Sequence, residues 1–367
     1  MKPVEHAASR DARLAALVES VLPGARISAV TALGADSGDG ASSTNKAAGY
    51  GAPLRIDVEL DGVRRRFVLH TATSNRFGHD RRADRAADAV LAADDFATIP
   101  RHVRTLDVGA FRPNAHVSLR GTGEFYVLTE WGEGTPYAED LRRIARTGVL
   151  ADGDLLRVER MARYLAALHR ERVTREFARE RALRDLLGSG EGIFGIVDGY
   201  PESAPGVTAS RLRHIEELCL AQRWKLKRIA RPLVRTHGDF HPFNVLFDAA
   251  SELVLLDTSR GSMGDAADDV ICMAVNFPFF ALSAPGSWQA AFGHLYRRFF
   301  EVYLAESGDE GLFDVAAPFV AWRGLVLASP IWYPDLPAET RRGLLDFVEQ
   351  ALTAERFSPD SVEGMFT

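Results

Sequence analysis

Apolar and polar positions along this chain follow two different periods, and the switch between them sketches its organisation. Leu14, Leu17, Val18, Val21 and Leu22 recur at helical spacing and predict a helix over 11–22. Residues 26–33 then alternate with the two-residue period of a strand, and further strand-like runs cover 54–60 and 65–70. Asp61-Gly62 separates the last two, and an Asp-Gly pair tolerates the positive φ angles of a tight turn, so a hairpin is expected there. Ala83, Ala87, Val90 and Leu91 mark one side of a helix over 80–95. The stretch GEFYVLTEWGEG, ending at Gly134, reads as a short apolar strand that stops at a polar, glycine-containing turn.

From about residue 138 the pattern is mostly helical, as at 155–170 and 211–228. An island at 234–262 interrupts it, where the β-like runs Val245-Leu246-Phe247 and Leu253-Val254-Leu255-Leu256 flank a turn. Strands with one helix, then helices holding a small hairpin, predict an α+β fold in two unequal lobes. Ligand sites favour such junctions, so a nucleotide cleft between the lobes is the natural expectation.

Composition narrows the class. With 367 residues, 46% hydrophobic and 26% charged, the chain can bury a sizeable core and falls far from disordered compositions. A net charge of -6 lacks the footprint of a nucleic-acid binder, and short basic runs such as Arg64-Arg65-Arg66 read as solvated faces. Cys219 and Cys272 stand far apart without metal-ligand partners, which argues against a disulfide scaffold or zinc site and suits a reducing cytoplasm. The first twenty residues contain no apolar core of a signal peptide. The longest apolar run, Val270 to Leu282, is broken by Asn276 and Pro278 and reads as a buried core helix, so no membrane partner is expected.

Candidate chemistry concentrates in THGDFHPFNVLFDAASELVLLDTSRGSMGDAADDV, residues 236–270. Asp239 and Asn244 are five apart, and Asp257 follows thirteen later at the end of an apolar strand. Phosphoryl transfer to an alcohol needs these residue types: a carboxylate to orient the hydroxyl and finally accept its proton, and hard oxygen ligands to hold Mg²⁺ against nucleotide phosphates. The Asp-x4-Asn spacing equals that of the protein-kinase catalytic loop, here with Gly238 between His237 and Asp239. Asp239 is therefore the candidate base, with Asn244 and Asp257 the candidate metal ligands. His237 and His241 read as structural, one orienting the loop backbone and the other contacting its neighbours.

HGDxHxxN, a strand-terminal Asp and then GDxxxDxx together resemble the aminoglycoside phosphotransferase superfamily, which includes choline, fructosamine and macrolide kinases. Tyr164 to His169 resembles the family's LAxLH helix, and the resemblance covers roughly residues 25–300. It implies a protein-kinase-like fold, with a small β-rich nucleotide-binding lobe over 1–130 and a larger, mainly helical catalytic and acceptor-binding lobe over 131–367. It further implies ATP or GTP with Mg²⁺ as cofactors, a small hydroxylated molecule as acceptor, and adenine contacts through the backbone near Glu130 and Gly132. Asp265, in Gly264-Asp265, resembles the residue that buttresses the catalytic loop by backbone hydrogen bonds. No A-P-E segment follows Asp257, and Gly264-Asp265 comes too soon to leave room for a protein-kinase activation loop.

The chain departs from that pattern where kinases carry a strand lysine for the α- and β-phosphates, because His70 stands there. The usual helix glutamate is replaced by Asp84 and Asp88, one turn apart. Lys46, within the glycine-rich stretch 34–51, is the candidate substitute cation. The competing expectation is a nucleotide-binding pseudokinase with little turnover, since a neutral imidazole anchors phosphate weakly. Phe194, Tyr200, Trp322, Trp332, Tyr333 and Asp335 are acceptor-pocket candidates by location alone.

Overall fold

The computed structural model describes residues 7–33, 53–113, 115–175, 177–258 and 262–366. It divides into two compact units, Met1–Leu128 and Thr129–Thr367. Lys46 lies outside the described residues.

In the first unit, α1 (Ala7–Val21) precedes an antiparallel sheet of β1 (Arg26–Ala32), β2 (Leu54–Leu60) and β3 (Val63–Leu69), in that order. Leu60 pairs with Val63 across Asp61-Gly62, whose φ angles of 52° and 76° suit the tight hairpin expected there. Leu14 and Val18 of α1 close over Ile56 and Val58 of β2, a small core made by one helical and one strand face. Next come α2 (Arg82–Phe96) and the two-stranded ribbon of β4 (Gly109–Arg112) and β5 (Ala115–Ser118), which the apolar pattern did not announce. Asp84 accepts a hydrogen bond from the Arg81 amide at the start of α2, and Asp88 pairs with His79 at 2.9 Å.

The expected strand through GEFYVLTEWGEG does not form. No strand is assigned between Gly121 and Glu133, and Phe125 to Leu128 are 64–90% exposed. β-propensity is a preference for a pleated surface with neighbours, and among the described residues no neighbouring strand pairs with this segment.

The second unit opens with β6 (Thr135–Pro136), α3 (Tyr137–Thr147), α4 (Asp152–Leu168), α5 (Ala178–Gly188), α6 (Ile193–Asp198) and α7 (Ala209–Leu226). A hairpin of β7 (Val245–Phe247) and β8 (Leu253–Leu255) follows, with β6 alongside β7. The helices α8 (Ala266–Ala274), α9 (Asn276–Leu282), α10 (Gly293–Ser307), α11 (Leu312–Val315), α12 (Ala317–Ala328) and α13 (Ala338–Thr353) follow, with a π-helical turn at Trp288–Phe292 and a closing 3-10 helix at Pro359–Met365. The apolar run 270–282 is buried as expected but divides between α8 and α9. Among the described residues no helix is long and apolar enough to cross a membrane.

Two packing features bear on the site. Arg231 reaches both Asp265, which caps the N-terminus of α8 by accepting from the Ala267 amide, and Asp309 beyond α10. α12 is buried along nearly its whole length, Arg323 included, and lies so close to α13 that a Cβ on Gly324 would stand 2.4 Å from Val348 Cγ2. Gly324→Ala is therefore expected to lower unfolding free energy by about 1–3 kcal/mol through overpacking. Gly343→Ala, on α13 with open space at its Cβ, should instead gain up to about 1 kcal/mol. Urea midpoints of the two variants check the contrast; equal shifts would contradict this packing.

Candidate active site

The loop from His237 to Asn244 is held from below by one carboxylate. Asp269, wholly buried in the first turn of α8, accepts the backbone amide of His237 at 2.7 Å and that of Gly238 at 2.8 Å. Its Oδ2 also lies 3.2 Å from His169 Nε2, and His169 Nδ1 lies 2.9 Å from the Tyr303 hydroxyl. The buttress is thus Asp269 and not Asp265, which is engaged by Arg231 and by its own helix. The four-residue step from one to the other is one helical turn, so both are on the same side of α8, but only the inner one reaches the loop amides. Gly238 has φ 84°, a left-handed conformation that any side chain would strain.

Those constraints present Asp239 at the surface of the unit, about a quarter exposed. Asn244 Nδ2 donates to the Asp239 carbonyl at 3.1 Å and to its Oδ2 at 3.3 Å. His241 Nδ1 accepts the Phe243 amide, which leaves the ring proton on Nε2, 3.5 Å from Asp239 Oδ2. His237 Nδ1 accepts the Asp239 amide at 3.3 Å. Both histidines are thereby committed to loop geometry. Burial by itself would raise the Asp239 carboxyl; the hydrogen bond from His241 and the charge of Arg323 outweigh it and hold the group well below the usual carboxylate range.

The β7–β8 hairpin brings Asp257 to this loop. Val245 pairs with Leu255, and the Leu256 amide donates to the Asn244 carbonyl at 2.9 Å, so Asn244 lies opposite Leu256 and Asp257 is the next residue along. Asp257 is exposed and has φ 31°, an uncommon backbone state of the kind found at ligand sites. Asn244 spends its amide protons on Asp239, and its side-chain oxygen is an acceptor. This donor set suits Mg²⁺, which takes few protein ligands and completes its octahedron with phosphate and water oxygens. Among the described residues no three His, Cys, Asp or Glu side chains converge on a metal position.

The other candidates are placed as follows. Gly132 packs against Val254 of β8 and the adjoining Leu256, where a Cβ would stand 2.9 Å from Leu256 Cδ2, and Glu130 is exposed two residues before it. His70 is exposed directly after β3 in the first unit. Trp322 is buried and donates through Nε1 to the Glu191 carbonyl, whereas Trp332 is half exposed.

Sequence reading missed Arg323. It is 8% exposed, donates to Asp239 Oδ1 at 2.8 Å and to the Gly238 carbonyl at 3.3 Å, and lies 3.5 Å from Asp268 Oδ1. One signal was available: it is the single charge in APFVAWRGLVLA, and a charge inside a buried helix needs a partner.

A family model described as "Phosphotransferase enzyme family" matches residues 56–306, more than half of the chain. The chain belongs to this family. Its strand-bearing first unit and mostly helical second unit are the arrangement that the resemblance implied. Among the curated proteins none matches. Solved structures similar to this phosphotransferase-family chain include a glucosamine kinase at 19% identity and TM-score 0.42, covering 65% of this chain and 59% of that one. A choline/ethanolamine kinase family protein from Mesorhizobium loti shows 14% identity and TM-score 0.37, covering 76% and 84%. The aminoglycoside phosphotransferase APH(4)-Ia shows 16% identity and TM-score 0.37, covering 94% and 99%. The chain thus spans about three-fifths of the length of the glucosamine kinase it matches.

Asp269→Ala would leave the two loop amides unpaired in the interior and should cost about 3 kcal/mol or more of stability. Asp265→Ala, which removes a helix cap and one partner of Arg231, should cost less. Unfolding of both variants in urea checks the order, and a reversed order would return the buttress to Asp265.

Proposed function

We propose that this chain transfers the γ-phosphoryl group of ATP or GTP to a hydroxyl of a small molecule. The observation that carries the reading is the contact between Asp239 and Asn244 on a loop pinned by Asp269, with Asp257 one hairpin rung away. A base, an amide oxygen and a second carboxylate are what phosphoryl transfer requires within one rigid element.

In this reading the acceptor hydroxyl docks against Asp239. Its oxygen attacks the γ-phosphorus, the bond from that phosphorus to the β,γ-bridging oxygen breaks, and the nucleoside diphosphate leaves with that oxygen. The hydroxyl proton passes to the Asp239 carboxylate. A carboxylate of such low basicity is a poor base toward a free alcohol; it orients the hydroxyl early and takes the proton late, once bonding to phosphorus has acidified it. Asn244 and Asp257 would hold Mg²⁺, which supplies charge neutralisation at the phosphates. His70 and Lys46 are proposed as phosphate contacts in place of the strand lysine, and the backbone at Glu130 and Gly132 as the adenine contact. Region 1–130 would serve the nucleotide and 131–367 the chemistry and the acceptor.

Thermal melting with ATP or GTP, with and without Mg²⁺, tests this without an identified acceptor. A ligand at about 100 times its dissociation constant adds roughly 2.7 kcal/mol, so a clear Mg²⁺-dependent rise is expected, lost in Asp257→Ala and kept in Asp239→Ala. Asp239→Ala should lower turnover by about 10²-fold or more. Absence of any nucleotide shift, or full turnover in Asp239→Ala, would overturn the assignment. Binding without turnover in the wild type would favour the pseudokinase reading.

A further inference from the structure

Arg323 stands apart from every local signal around the candidate base. It arrives from α12, eighty-four residues beyond Asp239, and its guanidinium is buried. Its position is determined on several sides. The guanidinium carbon lies 3.8 Å over the Trp322 ring, and Trp322 is itself tethered to the Glu191 carbonyl. One terminal nitrogen donates to Asp239 Oδ1; the other donates to the Gly238 carbonyl and faces Asp268. Gly324 beside Arg323 seats α12 closely against α13.

We infer that Arg323 is the positioning residue of Asp239: it clamps Oδ1 and the preceding backbone, and so leaves Oδ2 as the oxygen that meets the acceptor hydroxyl. The inference rests on the reading of Asp239 as base. The two carboxylate oxygens differ in the way such a division requires. Oδ1 has a short, charge-assisted bond from a buried donor, which a ligand would not displace. Among the described residues Oδ2 has only the longer approaches of Asn244 at 3.3 Å and His241 at 3.5 Å, contacts that an incoming hydroxyl can replace. The fork geometry matters as well as the charge. A guanidinium reaches the side chain of Asp239 and the carbonyl of Gly238 together, fixing the carboxylate torsion relative to the loop, whereas an ammonium would bind either one as a point charge.

The alternative is that Arg323 merely neutralises two neighbouring carboxylates, Asp239 and Asp268, with no part in orienting the base. A double-mutant cycle separates the two. Turnover is read as Mg²⁺-dependent ATP hydrolysis, with water standing in for the acceptor, in wild type, Arg323→Ala, Arg323→Lys, Asp239→Asn and the two double variants. If Arg323 acts through Asp239, Arg323→Ala lowers kcat by about 10²-fold, the cost of a misplaced catalytic group, while KM for ATP changes less than about twofold. In the Asp239→Asn background the same change alters kcat by less than about threefold, because the group it positions is already gone. Added guanidinium ion restores part of the Arg323→Ala turnover. Arg323→Lys falls between wild type and Arg323→Ala, and its own cycle serves if the alanine variant does not fold.

Equal losses in both backgrounds, full activity in Arg323→Lys, or a gain of turnover in Arg323→Ala would overturn the inference. A wild type whose hydrolysis is unchanged by Asp239→Asn would instead remove the reading of Asp239 as base, and the inference with it; the wild-type to Asp239→Asn comparison shows which has failed.

Discussion

The two hydrogen bonds from the His237 and Gly238 amides to the buried Asp269 carboxylate are the constraint on which the candidate site depends. A carboxylate without solvent costs a great deal unless its lone pairs are occupied, and here backbone donors occupy them. The loop amides are tied to it for the same reason, since alternatives in the interior would leave them unpaired. Gly238 then takes up a left-handed turn, and Asp239 is delivered outward. The hairpin adds the second constraint: its ladder sets Asn244 opposite Leu256, with Asp257 the next residue along.

Around this pair the protein has arranged charge in a chain. Arg231 joins Asp265 to Asp309 and fixes the beginning of α8; one turn on, Asp268 and Asp269 face Arg323 and the loop. Buried ionic groups of this kind add little net stability against an apolar replacement. The guanidinium of Arg323 illustrates the point: burial would favour losing its charge, yet the negative groups around it, Asp268 and Asp239 included, raise its pKa and keep it a cation. Such rigidity is what the role proposed for Asp239 asks for, since a small displacement of a base costs rate steeply.

Much of this was readable from the chain. Asp61-Gly62, the alternation in β2 and β3, the helical spacing of α1 and the short runs of β7 and β8 are set by neighbours within a few residues, through backbone sterics and the side to which each side chain points. Asp239, Asn244 and Asp257 were legible for the same reason. Their spacing spans one loop and one hairpin, so a local pattern sets the contact of Asp239 with Asn244 and puts Asp257 one residue past the Asn244–Leu256 pair.

Tertiary structure alone decided the rest. The apolar residues 125–128 have strand propensity, but a strand is completed by a neighbour's hydrogen bonds, and none pairs with them among the described residues. Asp265 and Asp269 are equivalent by composition and one turn apart; packing of α8 against the loop selected Asp269 as the buttress. Arg323 announced itself only as a lone charge in an apolar helix, and its partner became visible when α12 packed beside a loop eighty-four residues earlier. The sequence by itself determined which chemical groups are present and how near neighbours are spaced, because those follow from covalent connectivity. Which distant group satisfies a buried charge or amide follows from close packing, and only the folded chain could decide it.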